Sequence, residues 1–292
     1  MLDAAAHCTD CNHAYRIQGG ILRLLAPTAL DAESAHERVV RNEQAAVADH
    51  TWESDAWMQK EIVPTLKESE PLKSASVLEL GAGAGRYSVL MAERGARLMA
   101  TDFSFVALAS LAKRVKPDWS IGLIEADCTQ LQVRRNFDLV ASTLMSNLPT
   151  LEHRRALYKV VANALREGGK FVFSTHHFSW QARLARKARS GYYREGGIYR
   201  YMFEVAEIRR EVAQHFESVS CRPIQIHIPL AGKFGAALML SRLSERIWPL
   251  NRLGELLLVS ARRPIRKLMA FVCLHLVIPD ALYVAELATV VL

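Results

Sequence analysis

Three glycines, four acids and two histidines have the types and spacing to do chemistry together. The run Val77-Leu78-Glu79-Leu80-Gly81-Ala82-Gly83-Ala84-Gly85-Arg86 lies where an apolar strand turns into a helix. Glycines there let the backbone approach a ligand closely, and a helix N-terminus attracts polar or negative groups. Asp102 follows Gly81 by 21 residues, at the end of the next apolar run. A carboxylate in that position can accept hydrogen bonds from both hydroxyls of a ribose. A third run ends in Glu125-Ala126-Asp127-Cys128, where an acid can meet the exocyclic amine of an adenine. Three strand ends in register predict a site for a nucleoside-bearing cofactor. His176 and His177 follow a later apolar run. Imidazole titrates near neutrality, so either is a candidate base for an acceptor hydroxyl.

These residues act together only if elements carry them to one edge. Short apolar runs at 76–80, 97–101, 121–125, 137–142 and 170–175 read as buried strands. Helical segments at 85–94, 105–115 and 152–166 separate them. In the last, Ala156, Leu157, Val160, Val161, Ala164 and Leu165 share a face, and Gly168-Gly169 ends it. Strands joined by single helices imply parallel pairing with right-handed crossovers. Residues 30–70 read as helical, 203–215 as a further helix, and 218–228 and 255–261 as two closing strands.

The glycine run selects among cofactors. A dinucleotide fingerprint needs a third glycine where Arg86 stands, and no Gly-Lys-Ser/Thr follows for a phosphate loop. The form Glu-x-Gly-x-Gly-x-Gly resembles the first motif of the class I S-adenosylmethionine-dependent methyltransferases. The resemblance continues through Thr101-Asp102-Phe103-Ser104, Glu125-Ala126-Asp127, Phe137-Asp138-Leu139-Val140 and Leu165-Arg166-Glu167-Gly168-Gly169-Lys170. It implies an α/β, Rossmann-like, doubly wound sheet of seven mostly parallel strands with an antiparallel last strand. A small N-terminal β-hairpin and helical additions would surround it. It also implies S-adenosyl-L-methionine as cofactor. Glu79, Gly81, Gly83 and Gly85 would hold the methionine part, Asp102 the ribose and Phe103 the adenine face. Asp127 and Cys128 would meet the adenine edge, and Ser142 would line the methyl-transfer face.

Family members that methylate planar base amines often carry Asn-Pro-Pro-Tyr or Asp-Pro-Pro-Tyr after the fourth strand. This chain has Ala141-Ser142-Thr143-Leu144-Met145-Ser146-Asn147-Leu148-Pro149. The difference points to oxygen, carbon or another nitrogen in a small-molecule acceptor. Tyr192, Tyr193, Tyr199 and Tyr201 follow the histidines and could shape its pocket. Near the N-terminus, Cys8-Thr9-Asp10-Cys11 resembles half of a zinc-ribbon methyltransferase-activator domain. A structural zinc takes four ligands, usually from two such knuckles, and His7 and His13 are crowded substitutes. No metal is therefore expected. The hairpin that remains would pack through Ile17, Ile21, Leu22 and Leu24.

The chain has 292 residues with 37 Lys+Arg against 30 Asp+Glu, a net of +7. Residues 1–146 carry 15 basic and 19 acidic side chains, while 147–292 carry 22 and 11. The cofactor motifs thus lie in the acidic half. The basic excess allows a second reading, an RNA methyltransferase that neutralises phosphates. A third is a cofactor-binding domain without transfer. The tail 268–292 holds no Lys or Arg and reads as a buried or dimer-forming helix pair, with peripheral membrane contact as an alternative. At 50% hydrophobic and 23% charged, the composition excludes a disordered or collagen-like chain. Five scattered cysteines and no basic-then-apolar leader predict a reducing cytoplasm. The expected parts are 1–26, the ribbon remnant; 27–72, a helical cap; 73–264, the catalytic domain with an insertion at 178–202; and 265–292, an apolar extension.

Overall fold

A computed structural model of the chain describes residues 4–8, 13–25, 30–46, 56–133, 136–192, 197–226, 243, 247, 250–265 and 276–277. The N-terminal strands are β1 (Ala4–Cys8), β2 (Ala14–Gln18) and β3 (Ile21–Arg23). Helices α1 (Ala32–Ala46) and α2 (Ala56–Ser69) follow. Then come β4 (Ser76–Leu80), α3 (Arg86–Ala92), β5 (Arg97–Asp102), α4 (Phe105–Ala112), β6 (Ile121–Glu125) and β7 (Phe137–Ser142). Next are α5 (Leu151–Ala164), β8 (Leu165–His176), α6 (Trp180–Leu184), and the short strands β9 (Ser190–Tyr192) and β10 (Tyr199–Tyr201). The chain continues with α7 (Val205–Val212), β11 (Phe216–Ile224), β12 (Leu256–Pro264) and β13 (Leu276–Val277).

Seven strands in the order β6-β5-β4-β7-β8-β12-β11 form the expected sheet. Only β12 is reversed, running antiparallel to both β8 and β11. All five residues of β4 are buried, as the centre of a sheet covered on both faces requires. Its side chains alternate between layers. Leu78 and Leu80 join the α5 and α7 side with Leu157, Tyr158, Ile208 and Val212. Val77 joins the α2, α3 and α4 side with Ile62, Tyr87, Met91 and Leu111.

The N-terminal hairpin lengthens the sheet. β3 pairs parallel with β6, aligning Ile21 with Leu123 and Arg23 with Glu125, and β2 and β1 extend the edge. Ile17, Ile21 and Leu22 are buried and Leu24 packs against the same core. The fully buried Glu125 carboxylate fixes this join. It takes Arg23 Nε at 2.6 Å and Arg38 Nη2, from α1, at 2.7 Å. A buried carboxylate is tolerable because two guanidinium groups meet it. In the tail, Leu276 and Val277 form a strand against β1 rather than part of a helix pair. The other tail residues, and Cys11, lie outside the described residues. No helix among the described residues is long and apolar enough to cross a membrane.

The sequence-predicted face of α5 lacked two polar members. Arg154 and Tyr158 are also buried, and both reach Glu211 of α7. Arg154 Nε and Nη2 donate to its two carboxylate oxygens at 2.7 and 3.1 Å, and Tyr158 Oη donates at 3.0 Å. Removing one member of a buried pair leaves the other charge unpaired, costing about 3–5 kcal/mol. Arg154→Ala should therefore lose about 3 kcal/mol of folding stability in urea titration. A loss below about 1 kcal/mol would contradict this reading of the pair.

Candidate functional site

The glycine loop is hung from the end of β5. The Gly81 and Ala82 N–H groups both donate to the Thr101 carbonyl at 2.9 Å. Gly81 and Gly83 have φ of +76° and +55°, a region that favours glycine. A Cβ at either would meet nothing within 4 Å, so both backbones face open space. Asp102 closes the other side. Its Oδ2 accepts from Gly83 N and its Oδ1 from Ser104 N, each at 2.8 Å. One carboxylate thus sets the glycine loop and the start of α4, where Ser104 Oγ caps the Ala107 N–H. Burial pushes the Asp102 pKa up, against the lowering effect of those N–H groups and of Arg41. The carboxylate lines the cavity, where it can accept from a ligand hydroxyl.

The end of β6 lies beside it, with Ala126 N donating to the Asp102 carbonyl at 3.0 Å. Asp127 Oδ1 holds Thr129 N and Oγ1 at 2.8 and 2.7 Å, and Oδ2 holds Gln130 Nε2. Cys128 points to the same space, and burial pushes its thiol pKa well up, keeping it protonated. These strand ends enclose a cavity of about 460 Å³. Gly81, Gly83, Asp102, Phe103, Asp127, Cys128 and Ser142 line it, seven of the expected cofactor residues.

Glu79 and Gly85, also expected to touch the cofactor, do not line the cavity. Glu79 lies under the loop and shares a 2.6 Å hydrogen bond with Ser88 Oγ of α3. Gly85 has φ +89°, and a Cβ there would come within 2.2 Å of Leu111 Cδ1. Its role is close packing of α3 on α4.

The sequence implies a helical cap over 27–72, but not which of its residues meet the cavity. Ser34, Glu37, Arg41, Gln44 and Ala45 of α1 line the cavity, with Met58 of α2. They recur every three or four residues, the spacing of one helix face, so a polar stripe was the available signal. Polar contacts hold α1, which has no buried residues. Asp31 accepts from the Glu33 and Ser34 N–H groups and meets His153 Nε2 at 2.9 Å. Burial would raise the Asp31 pKa, but these partners outweigh it and hold it at about 2. Asn42 Oδ1 accepts from Ser104 Oγ at 2.6 Å, tying the roof to α4.

The histidines fall elsewhere. Neither His176 nor His177 lines the cavity. His177 Nδ1 lies 2.7 Å from the Gly254 carbonyl, which can only accept, so that nitrogen carries the proton. His177 thereby braces the approach to β12; its Nε2 keeps a lone pair, but the ring does not line the cavity. Burial, helped by Arg200, lowers the His176 pKa to about 4, so it is neutral at pH 7. Of the tyrosines, Tyr192 Oη donates to Glu33 of the roof at 2.5 Å, and Tyr201 Oη to Glu207 at 2.7 Å. Tyr193 lies outside the described residues. Among the described residues no group of three His, Cys, Asp or Glu could hold a metal ion.

Burial, opposed by Ser88 and aided by Asp102, lifts the Glu79 pKa to about 8. The folded chain thus keeps a proton that the unfolded chain releases near pH 4.5. That contribution is full below about pH 4.5 and is lost as pH rises through about 8. Glu79→Gln should flatten the fall in urea midpoint across this window. A pH slope equal to that of the wild type would contradict the buried, protonated state.

With this geometry, likeness to known proteins becomes interpretable. Residues 77–169 match the family model described as a methyltransferase domain. The chain is 34% identical over 112 residues to cypemycin N-terminal methyltransferase of Streptomyces sp., covering 37% of this chain and 44% of that one. It is 31% identical over 110 residues to ubiquinone biosynthesis O-methyltransferase of Idiomarina loihiensis, again covering 37% and 44%. The chain therefore spans less than half the length of these curated relatives. Its fold matches the N-methyltransferase NodS of Bradyrhizobium japonicum, solved with S-adenosylhomocysteine. That match has a TM-score of 0.54 at 16% identity, over 78% of this chain and 100% of that one. Residues 77–169 are thus similar to a methyltransferase domain, and the chain shares the fold of solved methyltransferases.

Proposed function

We propose that the chain binds S-adenosylmethionine in this cavity and directs its methyl group to a small-molecule acceptor. The observation that carries the reading is Asp102, a buried carboxylate that lines a cavity floored by glycine backbone. The donor set suits the cofactor part by part. Asp102 takes the two ribose hydroxyls, Phe103 flanks the adenine, and Asp127 and Cys128 meet its edge. Gly81 and Gly83 offer open backbone to the methionine part. Glu79 and Gly85 support the loop from beneath. When bound, the cofactor supplies a methyl group already activated on a sulfonium, so alignment provides much of the acceleration.

Ser142 and the turn Thr143–Met145 line the wall that would face the reacting groups. The α1 roof covers one side of the cavity, which supports a small acceptor over a folded RNA. The named activities of the relatives include both nitrogen and oxygen methylation, so either atom fits. The scattered cysteines support a cytoplasmic location. His176, neutral at pH 7, is the imidazole left to test as a base.

Asp102→Ala should weaken S-adenosylmethionine binding at least ~10-fold in titration calorimetry, through loss of charge-assisted hydrogen bonds. Asp102→Asn should fall between, since it retains an acceptor. Unchanged affinity in the alanine variant removes Asp102 from the site. For the histidines, His177→Ala should lose about 1 kcal/mol or more of stability with its buried hydrogen bond, while cofactor affinity stays unchanged. Full S-adenosylhomocysteine production by His176→Ala would take imidazole out of the reaction.

A further inference from the structure

The insertion after β8 carries a surface that the cofactor site does not use. Ser179 Oγ caps α6, and Phe178 anchors its start by donating its N–H to the Phe203 carbonyl at 2.8 Å. One turn apart on this helix, Trp180 is 63% exposed and Leu184 is 88% exposed. At i and i+4 the two share a face, so they form a single apolar projection. Residues 183–188 are all exposed. From 168 to 194 the sequence contains no acidic residue, while 183–194 contains Arg183, Arg186, Lys187, Arg189 and Arg194. Arg183 pairs with Glu204, and Arg189 with Glu207. The side chains of Arg186 and Lys187 meet no acid among the described residues.

We propose that this face docks the protein on an anionic lipid bilayer. Trp180 would sit at the headgroup level, Leu184 would enter the acyl boundary, and Arg186 and Lys187 would meet lipid phosphates. Leucine decides the partner. It has no π face on which a base could stack, so the projection suits hydrocarbon better than RNA. An exposed apolar tip followed by two exposed cations that meet no acid among the described residues has the charge complementarity of an anionic membrane surface. The same insertion touches the roof of the cavity, through Tyr192 to Glu33 and through the Gly197 carbonyl to His36 Nε2 at 3.3 Å. Docking here would place the bilayer beside the α1 roof of the cavity and favour an acceptor presented at a lipid surface. The proposal goes beyond the methyltransferase reading and needs no turnover to be tested.

The full chain should co-sediment with phosphatidylcholine vesicles containing phosphatidylglycerol, and much less with phosphatidylcholine alone. Trp180→Ala/Leu184→Ala should lower the partition coefficient at least about tenfold, and Arg186→Glu/Lys187→Glu should lower it similarly. Both pairs are exposed, and unchanged thermal unfolding would show that the variants fold. Absence of wild-type binding, or apolar-pair binding equal to wild type, overturns the proposal. So does salt-sensitive binding of single-stranded RNA without vesicle binding. A dimer that the apolar pair abolishes, without vesicle binding, overturns it in favour of a second copy of the chain.

Discussion

The Asp102 carboxylate is the constraint on which the cofactor cavity depends. It ends β5, accepts from the glycine loop through Gly83, and accepts from the first turn before α4 through Ser104. Moving it would release the loop that follows β4 and the cap of α4 at once. The same group faces the cavity, so the residue that assembles the site is also the one proposed to read the ribose. Parallel strands make this possible. The carboxyl ends of β4, β5 and β6 fall side by side, and Ala126 N closes the row by donating to the Asp102 carbonyl.

A second buried acid plays the matching part at the sheet edge. Glu125 joins Arg23 of the hairpin and Arg38 of the roof to the end of β6. The N-terminal segments are thereby extensions of the domain, one widening its sheet and the other covering its cavity. Their attachment differs in kind. The hairpin buries Ile17, Ile21 and Leu22, whereas α1 buries no residue and is held by polar contacts. A roof of that sort can open at little cost in buried apolar area, which suits entry of a ligand.

Legibility in the sequence followed the range of the interactions. The placement of Gly81, Gly83, Asp102 and Asp127 at one cavity could be read because it comes from local strand–turn geometry, repeated at strand ends. The cavity-facing side of the expected helical cap could not, because Ser34, Glu37, Arg41 and Gln44 look like any solvated helix face until docking is known. The β3–β6 pairing was hidden for the same reason, since it joins segments about a hundred residues apart and leaves no local mark. His177 suggests chemistry by its position after β8, yet its ring does not line the cavity and its Nδ1 donates to the Gly254 carbonyl. Glu79 and Gly85 were read as ligand contacts although the motif needs them for packing beneath the loop.

The charge division also takes on a physical form. The acidic half builds the proposed cofactor site, and the basic half supplies the insertion with its exposed cations. The central claim is that the cavity above Asp102 receives S-adenosylmethionine. The most direct measurement is the crystal structure of the chain grown with S-adenosylhomocysteine. The account predicts ligand density above Gly81 and Gly83, with both ribose hydroxyls within hydrogen-bond reach of Asp102 and the adenine beside Phe103 and Asp127. An empty cavity at saturating ligand, or a ribose bound away from Asp102, would contradict it.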